Sequence, residues 1–227
     1  MLLGVDVGTS SCKALAFDPY TRRTLGRGRS TYRIIQPQPG WLELNPDEVW
    51  LGVLASIRQA LDQSGCTHVD GLAVVSAGLA VLPVAMDGKP LSNFVLPADG
   101  RAVREARDLA NALGEDYIYA TTGLASHSLY GLPKLMWLSR YRPDVFKQSH
   151  RFLSLDTFVH SRMGLEPTFD PAMACRTLAL DCHTREWSQP LLDAAQVGHE
   201  VFPLLGVAGD TLGTVSKSTF EGLGLDS

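Results

Sequence analysis

Six residues near the start of the chain have the types and spacing to hold an anion and a metal cation together. In Gly4-Val5-Asp6-Val7-Gly8-Thr9-Ser10-Ser11-Cys12-Lys13-Ala14 an apolar run carries one acid, Asp6, and breaks at Gly8 into hydroxyl residues. A second apolar run follows, from Ala14 to Phe17, and closes on Asp18-Pro19. Two short strands joined by a Gly-Thr-Ser turn is the natural reading. Such a turn offers unpaired backbone N–H groups, the hydroxyls of Thr9, Ser10 and Ser11, and the Lys13 cation, together a cradle for phosphate oxygens. Asp6, on the strand just before it, is placed to hold Mg²⁺ directly or through water. An ordinary polar hairpin can be built from the same residues. The run is not a Gly-x-x-x-x-Gly-Lys-Ser/Thr loop, and with no helix after the turn no helix dipole supplies the anion site.

The elements that must position these residues follow from periodicity and punctuation. Strands are expected near 2–7, 12–18 and 24–35, the third alternating Leu25, Arg27, Arg29, Thr31 and Arg33 against Gly26, Gly28, Ser30, Tyr32 and Ile34. The arginines at 22, 23, 27, 29 and 33 then form the solvent face of that strand. Asn45-Pro46-Asp47-Glu48 starts a helix, with Asn45 as cap and the acids at the positive dipole end, and the helix stops near Gly65. Gly71–Ala77 is fully apolar but for Ser76 and reads as a buried parallel strand. Val81–Met86 reads as another strand, turned by Asp87-Gly88-Lys89-Pro90. A helix is expected over 101–113, and others near 131–141, 155–163, 171–176 and 188–196, with strands at 151–154 and 177–181. The plan is an α/β fold with a mixed sheet.

Composition bounds the rest. The 227 residues are 45% hydrophobic and 19% charged, enough for a substantial core. A net charge of −4 argues against a nucleic-acid binder. No apolar stretch approaches membrane-spanning length, and Asp6 interrupts the apolar N-terminus, which points away from a signal peptide and towards the cytoplasm. The four cysteines, Cys12, Cys66, Cys175 and Cys182, form no Cys-x-x-Cys pair, and the six histidines are scattered. Neither zinc nor a disulfide framework is indicated.

Several pieces beyond the opening motif carry a resemblance. They are Gly40-Trp41-Leu42-Glu43 with Asn45-Pro46-Asp47-Glu48-Val49-Trp50, Asp99-Gly100-Arg101-Ala102, and Pro133-Lys134-Leu135-Met136-Trp137-Leu138 with Pro143-Asp144-Val145-Phe146. Asp156, Ala174-Cys175-Arg176-Thr177 with Asp181, and Trp187-Ser188 complete the set. In this order they resemble the amino-terminal domain of the FGGY carbohydrate kinases over nearly the whole chain, closest in pattern to xylulokinase. The opening turn alone also resembles actin- and Hsp70-like ATPases. The resemblance implies a ribonuclease-H-like, actin-type domain that takes part in phosphorylating a sugar or polyol with ATP and Mg²⁺, without nucleic acid or membrane and with a homodimer as one arrangement. It implies cofactor-binding roles for Asp6, Gly8, Thr9, Ser10, Ser11 and Lys13, with Asp6 on the metal side. It implies substrate contacts from Asp99 and Arg101, though Asp99 as a helix cap accounts for the same residues. Trp41, Trp50, Lys134 and Trp137 read as packing residues.

Two departures matter. Where xylulokinase-like proteins carry a polar Gln-Met-His-Gly type segment, this chain has Ser76-Ala77-Gly78-Leu79-Ala80-Val81, leaving Ser76 and backbone near Gly78 as the substrate contacts. Xylulose is therefore a default label. No Gly-Gly-Gly-Asp type segment is present to supply the family's general base. Asp170, Asp181 and Asp210 lie outside any Gly-rich turn after a strand, so the base and the second, adenine-binding domain are expected beyond Ser227. Residues 1–227 then form one phosphate-loop and sugar-binding domain, inactive alone. An actin-like ATPase and a non-catalytic sugar sensor are the competing readings.

Overall fold

The computed structural model describes residues 1–66, 68–215, 219 and 221. β1 (Leu2–Val7) turns at Gly8 into β2 (Ser11–Asp18), which returns antiparallel with Asp6 opposite Lys13 and Val7 opposite Cys12. β3 (Arg23–Thr31) adds to β2. Leu3, Val5 and Val7 face inward in alternation with exposed or half-buried partners, the period-2 pattern of a sheet covered on one face.

The cover is α1 (Pro46–Ser64). Asn45 Oδ1 accepts from the N–H groups of Asp47 (2.8 Å) and Glu48 (3.2 Å), and Gly65 closes the helix at φ +65°. Val49, Val53, Ile57 and Ala60 form its fully buried stripe. Glycines let α1 lie unusually close to β3. A Cβ on Gly28 would fall 1.8 Å from the Ser56 carbonyl oxygen, and one on Gly26 2.0 Å from that of Ala60. Gln59 and Gln63 of the same helix accept from the outward N–H groups of Arg29 and Arg27, each at 3.0 Å, so the edge of β3 is capped rather than left open. The five arginines of this region are exposed, as expected.

β5 (Gly71–Ser76) completes the sheet, in the order β3-β2-β1-β5, after β4 (Glu43–Leu44) and α1 in sequence. It is parallel to β1, with Val7 beside Ser76. The expectation of a buried strand fails. With β1 as its one neighbour among the described residues, β5 is an edge strand, none of its residues is fully buried, and Val75 is 61% exposed.

β6 (Leu82–Val84) and β7 (Phe94–Val95) leave the main sheet, β7 pairing with β4. The strand expected to reach Met86 stops at Val84, because Gly88 N–H folds back onto the Ala85 carbonyl with Gly88 at φ +78°. A helical layer follows: α2 (Val103–Leu113), α3 (Glu115–Thr122), α4 (Gly131–Tyr141) and α5 (Pro143–Gln148). β8 (Arg151–Leu153) pairs with β6, and α6 (Leu155–Arg162) packs back towards β5. β9 (Thr168–Phe169), α7 (Pro171–Cys175), α8 (Gln189–Ala195) and β10 (Leu204–Leu205) complete the described elements, β10 pairing with β9. α3, α5, β9 and β10 were not expected, being short segments without a clear apolar period. The strand expected at 177–181 is absent: Leu178 takes φ +63°, which breaks extended backbone, and only Leu180 bridges to Trp187. One core lies between the sheet, α1 and α6; a second lies among α2, α4 and α8. Among the described residues no helix is long and apolar enough to cross a membrane.

Candidate active site

The turn between β1 and β2 is held from behind. Gly8 N–H donates to the Ser11 carbonyl at 3.0 Å, and a Cβ on Gly8 would sit 3.1 Å from that oxygen. Tyr32, just past β3, grips the turn twice: its backbone N–H donates to the Ser10 carbonyl (3.2 Å) and its hydroxyl to the Gly8 carbonyl (2.5 Å). Burial, with Cys12 and Asp6 nearby, raises the Tyr32 phenol well above its ordinary value, so it remains a neutral donor. The carbonyls of Gly8, Ser10 and Ser11 are thereby occupied. The N–H groups and hydroxyls of Thr9 and Ser10 make no hydrogen bond among the described residues, and Thr9 is half-buried while Ser10 is exposed.

The β1–β2 register places Asp6 and Lys13 side by side, with Lys13 Nζ 3.5 Å from Asp6 Oδ2 and both side chains at least half exposed. Asp6 thus pairs with Lys13 across the two strands. Both groups open onto a broad hollow of about 750 Å³ over the outer face of the sheet, walled by Gly4, Leu15 and Val75. Cys12, the next residue, points inward, where Ser56 Oγ donates to its sulfur at 3.2 Å and burial pushes the thiol pKa up.

Parallel pairing of β5 with β1 brings the second half of the site alongside. Ala77 N–H donates to the Val7 carbonyl at 2.9 Å, so Ser76-Ala77-Gly78 emerges next to the Gly8 turn at the carboxyl ends of both strands. Ligands of open α/β sheets bind at such strand ends. A cavity of about 240 Å³ begins there, lined by Ala77, Gly78, Leu79, Pro97, Leu129, Tyr130 and Arg176.

Asp99 and Arg101 are placed differently from Ser76 and Gly78. Their side chains are 0% and 4% exposed. Asp99 accepts from Leu42 N–H (2.5 Å), Arg101 N–H (2.9 Å) and the Arg101 guanidinium, which also reaches Glu43 at 2.7 Å. The guanidinium carbon lies 4.0 Å from the Trp41 ring centroid and 5.1 Å from that of Trp137. Asp99 does not cap the next helix, which starts at Val103 without a side-chain cap. The Asp99–Arg101 cluster instead fixes the loop that carries Pro97.

Lys134 clamps the same loop from the other side. Its side chain is fully buried in α4, and its ammonium donates to the carbonyls of Ser128, Leu129 (2.9 Å) and Pro97 (3.4 Å). Burial lowers its pKa to about 7, partly offset by the Asp99 charge. Tyr32, Lys134, Tyr130 and Arg176 were missed as site residues. Lys134 and Arg176 stood in recognised motifs, but the bond from Lys134 to Pro97, 37 residues away, and the approach of Arg176 to Gly78 left no local signal.

Asp170 N-caps α7 and Asp181 holds its own turn. Asp210 departs from the expectation: it follows β10 in a glycine-bearing segment, Gly206 to Gly213. It lines a separate cavity of about 400 Å³ that reaches β5 from Gly71 to Val74 and stops short of Ser76. Among the described residues no group of three or more His, Cys, Asp or Glu side chains could hold a metal by itself.

The model of the FGGY family of carbohydrate kinases, N-terminal domain, matches residues 1–227. The chain belongs to that family. It is 27% identical over 230 residues to the autoinducer-2 kinase of Escherichia coli strain SMS-3-5, covering 99% of this chain and 43% of the relative. To the glycerol kinase of Thermococcus gammatolerans it is 26% identical over 222 residues, covering 95% and 45%. The crystal structure of a gluconate kinase from Lactobacillus acidophilus superposes with a TM-score of 0.92 at 25% identity, over 100% of this chain and 46% of the other. This FGGY chain thus has the ribonuclease-H-like, actin-type fold expected of it, and spans about half the length of the relatives it matches.

Proposed function

We propose that this FGGY domain binds the phosphates of ATP and a small polyhydroxylated acceptor side by side, as part of a kinase that phosphorylates the acceptor's hydroxyl. The observation that carries the reading is the β1–β5 register, which sets the unpaired N–H groups of Thr9 and Ser10 in the Gly8–Ser11 turn beside Ser76-Ala77-Gly78. Phosphoryl transfer depends mostly on such positioning and on charge neutralisation.

Within that reading each residue has a task. Thr9 and Ser10 donate N–H and hydroxyl groups to phosphate oxygens, with Gly8 and Ser11 setting the curvature. Lys13 supplies positive charge near the transferred group. One Asp6 oxygen faces Lys13 and the other has no partner among the described residues. A single half-exposed carboxylate fits an Mg²⁺ whose other ligands are water and phosphate, and does not fit an all-protein cage. When bound, the metal would neutralise phosphate charge. Asp99, Arg101 and Lys134 serve the acceptor at one remove, by fixing Pro97 and Leu129 in the cavity wall. The proton-accepting base and the adenine site are assigned to protein outside residues 1–227. The relatives are named for different substrates, and the apolar Ala77–Leu79 wall offers xylulose no special advantage.

ADP release by the whole gene product, measured against pentoses, polyols and aldonates, tests the proposal. ADP should appear only with an acceptor, and residues 1–227 alone should release none. Acceptor-independent hydrolysis points to an ATPase, and sugar binding without transfer to a sensor.

A further inference from the structure

We infer that the cavity beside Gly78 receives the carboxylate end of a polyhydroxy acid, an aldonate, and that Arg176 selects it. The inference rests on the carbohydrate-kinase reading above and narrows its acceptor class.

Arg176 follows α7 and stands against Gly78: a Cβ on Gly78 would lie 3.8 Å from Arg176 Nε. The guanidinium therefore lies over bare backbone, on the side from which a side chain at 78 would project. It is exposed at the cavity wall, and it makes no hydrogen bond and no ion pair among the described residues. Arg101, on the loop that follows Pro97, is spent on Asp99 and Glu43. The backbone carrying Arg176 is also fixed. Gly131 N–H donates to the Arg176 carbonyl (3.1 Å) and Leu132 N–H to the Thr177 carbonyl (2.7 Å), which ties it to the start of α4 and so to Leu129 and Tyr130.

The rest of the wall lacks what a neutral sugar needs. Ala77, Leu79 and Pro97 bring apolar side chains. The carbonyls of Pro97 and Leu129 are engaged by Lys134, and that of Ala77 by the Ser76 hydroxyl at 3.3 Å. Hydroxyl protons thus find few acceptors, whereas an acceptor-only group finds a planar fork of donors. A guanidinium pairs with a carboxylate through two parallel hydrogen bonds, which favours a carboxylate over a hydroxyl at that end of the ligand. About 240 Å³ is small for a ligand site and suits a short open-chain acid.

Isothermal titration with D-gluconate, D-glucitol, D-xylulose, glycerol and glucitol 6-phosphate tests this, on wild type, Arg176→Gln and Arg176→Lys. Wild type should bind gluconate about tenfold or more tighter than glucitol. Arg176→Gln should erase that preference while leaving glucitol binding and the melting temperature unchanged, and Arg176→Lys should keep part of it. Equal affinity for gluconate in wild type and Arg176→Gln overturns the inference. So does Arg176-dependent binding of the sugar phosphate without gluconate. Binding of neutral sugars with no preference for gluconate sinks the inference and leaves the kinase reading standing. Failure of every carbohydrate to bind sinks both.

Discussion

The hydroxyl of Tyr32 donates to the carbonyl of Gly8 at 2.5 Å, fastening the end of the third strand to the Gly8–Ser11 turn proposed to hold phosphate. The bond turns the Gly8 carbonyl inward, away from the space where anionic oxygens would sit, and so removes a repulsive dipole from the cradle. Tyr32→Phe deletes this oxygen alone. The backbone bond from Tyr32 N–H to Ser10 remains, and so does the packing of the ring on Gly52. Stability should fall by about 1 kcal/mol in urea unfolding. In the active protein KM for ATP should rise several-fold while KM for the acceptor is unchanged, a split that general destabilisation would not give.

Arg101 is the centre of a buried cluster, and its replacement should be read in stability before binding. Arg101→Ala leaves Asp99 and Glu43 without their shared partner, at a cost of about 3 kcal/mol or more. Arg101→Lys should recover only part, because an ammonium cannot meet both carboxylates and stack on Trp41 as the guanidinium does. Urea midpoints of the two variants check this. A cost below about 1 kcal/mol for Arg101→Ala would mean the cluster does not fix the Pro97 loop.

Much of this was legible along the chain, and the limits have physical causes. The opening strands, the Asn45-capped helix and the outward arginines follow from alternation and capping over a few neighbouring residues. The edge position of β5 was not readable, because an apolar run says nothing about how many strands lie beside it. Nor were the Tyr32–Gly8 bond, 24 residues apart, and the Arg101–Glu43 pair, 58 apart. For Asp99 and Arg101 the family resemblance implied substrate contacts, and the competing local reading was a helix cap. The fold rules out the cap and shows Asp99 and Arg101 buried against each other and against Glu43.

Lys134 predicts a pH dependence of stability. Its pKa falls from the ordinary 10.5 to about 7 in the fold because of burial. Between those values the unfolded chain carries a proton that the folded one has released, so unfolding takes up a proton and stability rises with pH across the window. Lys134→Met should abolish that rise. Denaturation midpoints of both proteins from pH 6 to 10.5 give the comparison. Parallel curves would show that Lys134 keeps its proton throughout.

The account stands or falls on the Gly8–Ser11 turn as a phosphate cradle. The most direct measurement is amide chemical-shift mapping of ¹⁵N-labelled protein titrated with magnesium pyrophosphate, with and without Asp6→Asn. The largest shifts should fall on the Thr9 and Ser10 amides, with smaller ones at Gly8, Ser11 and Lys13, and Asp6→Asn should weaken them in the presence of magnesium. Shifts that leave Thr9 and Ser10 silent while other amides respond would contradict it.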